Sequence, residues 1–320
     1  MRESTELANN DPIPFEAFAD FKRLDDVNPI IACEPPEWAA ATHAFVEDET
    51  IHYLWGRRKR GNYWVLMHST APVSSPAEIK QDPRNPVLLP SRDGFDDYTI
   101  EYPFPFLNPA DRRVYVYYLG RREKPPKQTG LIVGDGDFGK WKRVRQTPVI
   151  AADNDYESAG SSHPSVTVVD DTIHILYTGE SDGPPTLCHA TAPTSDPAAV
   201  MKDPANPIFK GTGQEWDSCG VREAEIFRGP QYFHIFYGGY DSKVWRVGHV
   251  RTLDFRTFET NPANPIFTPS PVPNAWDCDG ILTPQVFQID NTYYMVYAGL
   301  KGSEWQTGLA STLIPAQCLC

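Results

Sequence analysis

The chain has 320 residues, 40% of them hydrophobic and 22% charged, which is ordinary globular usage and excludes a disordered or fibrous protein. A formal net charge of −13 repels a polyphosphate backbone, and the basic stretches Arg57–Arg60 and Lys140–Arg145 are too short to offset it, so nucleic acid is excluded as a partner. Thirty-one prolines, 22 glycines and 12% aromatics favour many short strands, and no run approaches the roughly 18 apolar residues of a membrane span.

Residues 1–26 are polar and precede the first repeating unit. They are expected either to close a ring with an added strand or to be disordered, with 27–320 forming one domain. Met1 to Glu6 lacks the apolar core of a secretory leader, so the expected location is cytoplasmic unless a leader has been removed. From residue 27 the same pattern recurs five times: a proline with apolar residues, a polar loop, a strand, a short turn, and an aromatic strand ending in glycine. The prolines are 29, 86, 148, 207 and 265, and the glycines 56, 120, 179, 239 and 299. The aromatic strands are 52–55, 115–118, 174–177, 233–237 and 293–297.

Two direct matches set the period. The segment His68–Pro72 through Asp82–Pro86 recurs as His189–Pro193 through Asp203–Pro207 at an offset of 121, and Trp216-Asp217-Ser218-Cys219-Gly220 recurs as Trp276-Asp277-Cys278-Asp279-Gly280 at an offset of 60. Each aromatic strand pairs with the run before it as an antiparallel hairpin, a third strand follows, and the Asn-Pro segment can begin a fourth. Five such units predict an all-β, five-bladed β-propeller with about four antiparallel strands per blade. The six cysteines, at 33, 188, 219, 278, 318 and 320, lack metal-type spacing and read as buried free thiols. Gly134–Gly139 has glycine spacing close to a dinucleotide motif but follows a strand and opens no helix, so it reads as a turn.

In a propeller the innermost strands line one axis, which narrows the search for chemistry to the segments 37–43, 96–102, 157–163, 216–225 and 276–283. The period, the Asn-Pro starts, the Trp-Asp-x-x-Gly loops and the Tyr-x-Gly strand ends make the chain similar to the five-bladed glycosidase superfamily around glycoside hydrolase families 43, 32, 117 and 130. The family 43 pattern implies a base Asp in the first blade, an orienting Asp in the third and an acid Glu in the fourth. Counting back from the aromatic strands, these positions are Ala41, His163 and Glu223, so only the last carries over.

The reading is a glycoside hydrolase-like enzyme acting on a small glycoside or oligosaccharide end. Glycoside hydrolysis uses one carboxylic acid to protonate the leaving oxygen and usually a second carboxylate to activate water or attack the sugar. Glu223 is the expected acid and Asp97 the expected base, with Glu101 and Glu157 as alternatives. His163 is a second candidate acid, as the family 117 resemblance implies. Trp38, His43, Arg222 and Asp279 are expected to contact substrate alongside Glu101 and Glu157; Trp38 offers a flat face for stacking on a sugar ring. Trp216 and Trp276 recur with the repeat and read as blade packing.

No cofactor is required, although an axial calcium is compatible with the acids. Phosphorolysis would need a basic cluster, for which Arg222, Arg57, Arg58, Arg121 and Arg122 are the candidates. A lyase or isomerase using His163 with an acid, and a non-catalytic carbohydrate-binding propeller, are the competing readings. The oligomeric state is not legible.

Overall fold

A computed structural model describes residues 13–61 and 63–315. It contains five four-stranded antiparallel sheets arranged as the blades of a β-propeller. Blade I is built from Trp38–Glu47, Thr50–Lys59, Tyr63–Pro72 and Lys80–Gln81, and blade II from Thr99–Leu107, Val114–Arg121, Gln128–Gly134 and Lys142–Arg143. Blade III follows with Gly160–Val169, Thr172–Glu180, Thr186–Pro193 and Met201–Lys202, and blade IV with Val221–Arg228, Phe233–Tyr240, Trp245–Thr252 and Glu259–Thr260. Blade V takes Gly280–Ile289, Thr292–Lys301 and Glu304–Leu313 from the end of the chain. Its outer strand is Lys22–Arg23, which pairs with Ser311 and Ala310 and so ties the N-terminal segment to the last blade. Residues 1–12 and 316–320, including Cys318 and Cys320, lie outside the described residues, as does Asn62. Among the described residues no helix is long and apolar enough to cross a membrane.

The Asn-Pro segments do not begin the outer strands. Those strands are two-residue pieces that come earlier, and the asparagines act instead as clips on the third strand. Asn85 bonds the backbone N–H and C=O of His68 through its side-chain amide (2.7 Å each), and Asn206 does the same at His189 (2.7 and 2.8 Å). Asn264 clips His249 and Asn28 clips Leu309. One amide thus replaces a ladder position, satisfying a donor and an acceptor that burial would otherwise leave unpaired.

Aromatic and β-branched residues of neighbouring blades fill the seams. Leu176 and Leu187 of blade III pack with Val221, Ile235, Tyr237 and Val250 of blade IV, all nearly or fully buried. Each contributes roughly 1.5–3 kcal/mol by leaving water. In blades II to V the glycine ending the aromatic strand makes room for the loop ahead of the inner strand: a Cβ on Gly239 would stand 2.3 Å from Trp216, and one on Gly299 2.4 Å from Trp276. Trp216 and Trp276 therefore pack within blades, stacked on Tyr237 and Tyr297. Asp217 and Asp277 accept hydrogen bonds from the same two tyrosines. Of the four cysteines described, all unbonded, only Cys188 is buried; Cys33, Cys219 and Cys278 are half-exposed.

At the end of the axis where the inner strands run out, three seams carry stacked histidine pairs. His52 meets His68, His174 meets His189, and His234 meets His249, each through ring nitrogens 3.0–3.2 Å apart. An aromatic ring from the next blade presses on each pair: Phe138 on His52, Phe255 on His189, and Phe18 of the N-terminal segment on His234 and His249.

Candidate active site on the propeller axis

Every inner strand is interrupted at the same place. The register shifts between Ala40 and His43, Glu101 and Phe104, Ser162 and Ser165, Arg222 and Glu225, and Leu282 and Gln285. Within each shift one non-glycine residue takes a left-handed conformation: Ala41 (φ 55°), Tyr102 (52°), His163 (55°), Glu223 (53°) and Thr283 (54°). Such a backbone costs about 1–2 kcal/mol per residue, and a bulge of this kind re-aims the side chain it carries. The fivefold repetition makes these residues equivalent addresses on the axis, lying inside the strands and not in the loops ahead of them.

The preceding ring comprises Ala40, Glu101, Ser162, Arg222 and Leu282. Ala40, Arg222 and Leu282 line an axial cavity of about 210 Å³ together with Tyr102, Glu223, Thr283, Trp38, Trp64, Trp245 and Trp305. The last three tryptophans lie near the starts of the third strands of blades I, IV and V. Arg58 lies over Trp38 (3.8 Å from the ring centre) and Tyr240 stacks on Trp245. This volume is smaller than the ~300–1,000 Å³ of typical ligand pockets and suits a single ring, with aromatic faces to stack on it.

Glu223 is anchored on both oxygens. Tyr102 Oη donates to Oε1 (3.1 Å) and Thr283 Oγ1 to Oε2 (2.8 Å), while Arg222 Nε lies 3.1 Å from Oε1. His163 Nε2 stands 3.5 Å from Oε1 and 3.2 Å from an Arg222 nitrogen, and its Nδ1 meets Ser162 Oγ at 2.6 Å. Ser162 also bonds Glu180, which Lys127 holds at 2.9–3.0 Å.

Burial pushes the Glu101 carboxyl up to about 7; Lys127 and Arg121 oppose that rise, and the charges of Glu223 and Glu180 add to it. For Glu180, burial is outweighed by Arg222, Lys127 and the Ser162 hydroxyl, which together hold it below its usual range. Burial and then the charges of Arg222, Lys127 and His43 keep His163 well below the ordinary imidazole value, hence neutral at pH 7. Burial, then Glu223 and Glu101, drive Tyr102 well upward.

Among the expected residues, Glu223, Arg222, His163, Glu101 and Trp38 come together here. His43 lies on the axis two residues past the bulge, where its Nε2 meets Glu225 Oε1 at 2.7 Å; burial raises the Glu225 carboxyl and His43 opposes that rise. Asp97 stands apart, exposed, with Arg122 3.9 Å away, because its side chain follows the loop ahead of the strand outward. Glu157 is buried but engaged by Lys202 of the outer strand of blade III and by Asn154 of its own loop, and Asp279 is exposed, accepting from the Gly302 N–H. Among the described residues no cluster of three or more His, Cys, Asp or Glu side chains is arranged to hold a metal ion. Sequence reasoning did not single out Tyr102, Thr283, Glu180, Trp64, Trp245 or Trp305. Stepping from Glu223 by the 60–61-residue period reaches Thr283, His163, Tyr102 and Ala41, and that count is the signal for the axial ring.

Five blades around an axial cavity define the class by fold: a five-bladed β-propeller, a fold shared with solved structures described as glycoside hydrolases and with one from work on family 130. No family model matches the chain. A β-1,2-mannobiose phosphorylase from Thermoanaerobacter sp. (strain X514) is 28% identical over 105 residues, covering 28% of this chain and 33% of that protein, so the likeness spans about a third of the relative's length. A glycosyl hydrolase from Bacteroides ovatus superposes with a TM-score of 0.72 at 16% identity, over 94% of this chain and 95% of that one. A structure from work on family 130, described as mannoside phosphorylases that include hydrolases targeting β-1,2 mannosidic linkages in Candida mannan, gives 0.72 at 15% identity over 96% and 99%. The catalytic domain of the Coprinopsis cinerea family 62 α-L-arabinofuranosidase gives 0.64 at 11% identity over 89% and 95%. At these identities the likeness is one of fold.

Proposed function

We propose that this protein is a carbohydrate-active enzyme that takes the terminal unit of a small glycoside or oligosaccharide into the axial cavity and hydrolyses its glycosidic bond. One observation carries the reading: a carboxylate, Glu223, fixed by two hydroxyls and an arginine at the floor of a one-ring cavity walled by four tryptophans. Of the three carboxylates expected to partner it, Glu101 is the one whose carboxyl the charge of Glu223 helps to raise. Glu101 also occupies the ring position that in blades I, IV and V faces the cavity.

A carboxyl pushed up to about 7 holds its proton at neutral pH and suits a donor, whereas Glu223 is held as an acceptor on both oxygens beside a guanidinium. Glu101 is therefore assigned the proton donor and Glu223 the opposing carboxylate, exchanging the roles expected from the family 43 pattern. His163, held neutral between Arg222 and Ser162, positions Arg222 and supports the Tyr102 ring edge-on at 4.0 Å.

The test is a turnover screen of aryl glycosides and oligosaccharides, β-mannosides included, with and without inorganic phosphate, beside Glu223→Gln. Turnover independent of phosphate and lost in the variant supports the hydrolase; strict phosphate dependence makes the enzyme a phosphorylase. Sugar binding without turnover by the folded wild type makes it a binding propeller and overturns the proposal.

A further inference from the structure

The five axial addresses hold a single carboxylate, Glu223, and beside it on the cavity wall a phenol, Tyr102. Glu223 is 2% exposed, Thr283 1%, His163 3% and Ala41 0%, whereas Tyr102 is only half-buried. Tyr102 and Glu223 thus both line the cavity, and the phenol is the more exposed of the two. Its Oη already donates to Glu223 Oε1 at 3.1 Å, the opposite oxygen of Glu223 is fixed by Thr283, and the ring is braced edge-on by His163. A hydroxyl within hydrogen-bond reach of a base that a third group orients is the geometric signature of an activated nucleophile.

We propose that Tyr102 is the catalytic nucleophile, with Glu223 as the base that takes its proton, in a double-displacement reaction. This rests on the glycosidase reading and assigns the group that attacks. In the first step Tyr102 Oη bonds to the anomeric carbon as the bond to the leaving oxygen breaks. The phenolic proton passes to Glu223, and the leaving oxygen takes the proton of Glu101. In the second step water attacks the anomeric carbon, giving its proton to Glu101, and the bond to Tyr102 breaks as Glu223 returns the proton to Oη. Nothing is oxidised or reduced, both carboxyls end as they began, and the product keeps the anomeric configuration of the substrate. A neutral phenol also suits a pocket in which the charges of Glu223 and Glu180 already bear on Glu101.

The experiment uses the full chain and the aryl glycoside it hydrolyses fastest. Proton NMR of the first-formed product is expected to show retention. The matching 2,4-dinitrophenyl 2-deoxy-2-fluoroglycoside is expected to leave one sugar mass on the peptide containing Tyr102. Tyr102→Phe keeps the ring, and a melting temperature within a few degrees of wild type reports its folding; its kcat should fall about 10³-fold with no label captured. A merely positioning tyrosine would leave both stereochemistry and the site of labelling elsewhere. An inverted product, or label on Glu223 or Glu101, overturns the assignment while leaving the glycosidase reading intact. No turnover of any glycoside by the folded wild type overturns both.

Discussion

Replacing His234 with glutamine should flatten the acid sensitivity of the protein, and its size follows from the IV–V seam. His234 and His249 are fully buried and face each other, Asn261, the rings of Phe15, Phe18, Phe227, Tyr232 and Phe236, and the cations Arg228 and Arg251. Burial, then Arg251 and Arg228, push His234 down to about 3, and burial with His234 and Arg251 holds His249 well below the usual value. Both stay neutral in the folded state while the unfolded chain takes up protons near pH 6.5, so their contribution is complete above that pH and is lost as pH falls toward the folded value. At pH 5 each neutral imidazole costs about 2 kcal/mol relative to pH 8, and the pair about 4, against a total stability on the order of 5–15 kcal/mol. Urea unfolding followed by tryptophan fluorescence at pH 8 and pH 5 measures this. Glu101 acts in the opposite sense, being protonated more readily when folded, but it cancels in the difference between wild type and variant. His234→Gln should lower stability at pH 8 yet remove roughly 2 kcal/mol of the wild-type loss between the two pH values. An identical pH dependence in both proteins would refute the neutral-pair account of the seam.

Glu101→Gln should abolish the alkaline limb of the kcat/KM profile, which in the wild type falls above about pH 7 because the donor loses its proton there; the loss should be smallest for 2,4-dinitrophenyl glycosides, whose leaving group needs no acid. Gly248→Ala drives a Cβ to 2.3 Å from Trp216 and should destabilise blade IV by about 1–3 kcal/mol, read as a lowered melting temperature. Asn206→Ala unclips both backbone groups of His189 and should cost about 2 kcal/mol or more in urea unfolding. Trp305→Ala should raise KM for aryl glycosides about tenfold with kcat less affected, if its face is part of the sugar-binding wall.

The blade count was legible because the period leaves literal copies: His68–Pro86 against His189–Pro207 survives as sequence since the clip and the histidine pair need those residue types. Glu223 was reachable by counting from the aromatic strand. Tyr102 and Thr283 were not singled out, because a tyrosine and a threonine in a strand look like ordinary sheet formers, and only the left-handed bulge turns them to the axis. Three of the four wall tryptophans come from third strands, so no spacing along an inner strand ties Trp64, Trp245 and Trp305 to Glu223. Asp97 was favoured, with Glu157 an alternative, because their loops carry acids ahead of an inner strand. Whether such a side chain turns inward, outward or onto a lysine depends on a few loop dihedrals that composition does not encode.

The repeated bulge separates building the ring from choosing its chemistry. The clips, seams and strand-end glycines that hold the blades together lie away from the five left-handed addresses, and those addresses accept an alanine, a phenol, an imidazole, a carboxylate and a hydroxyl without altering the register around them. Reactions can therefore be rewritten one address at a time. Ala41, which carries no functional group, is a vacant socket: an aspartate there would give the five addresses a second carboxylate in a backbone conformation Asp tolerates better than most residues.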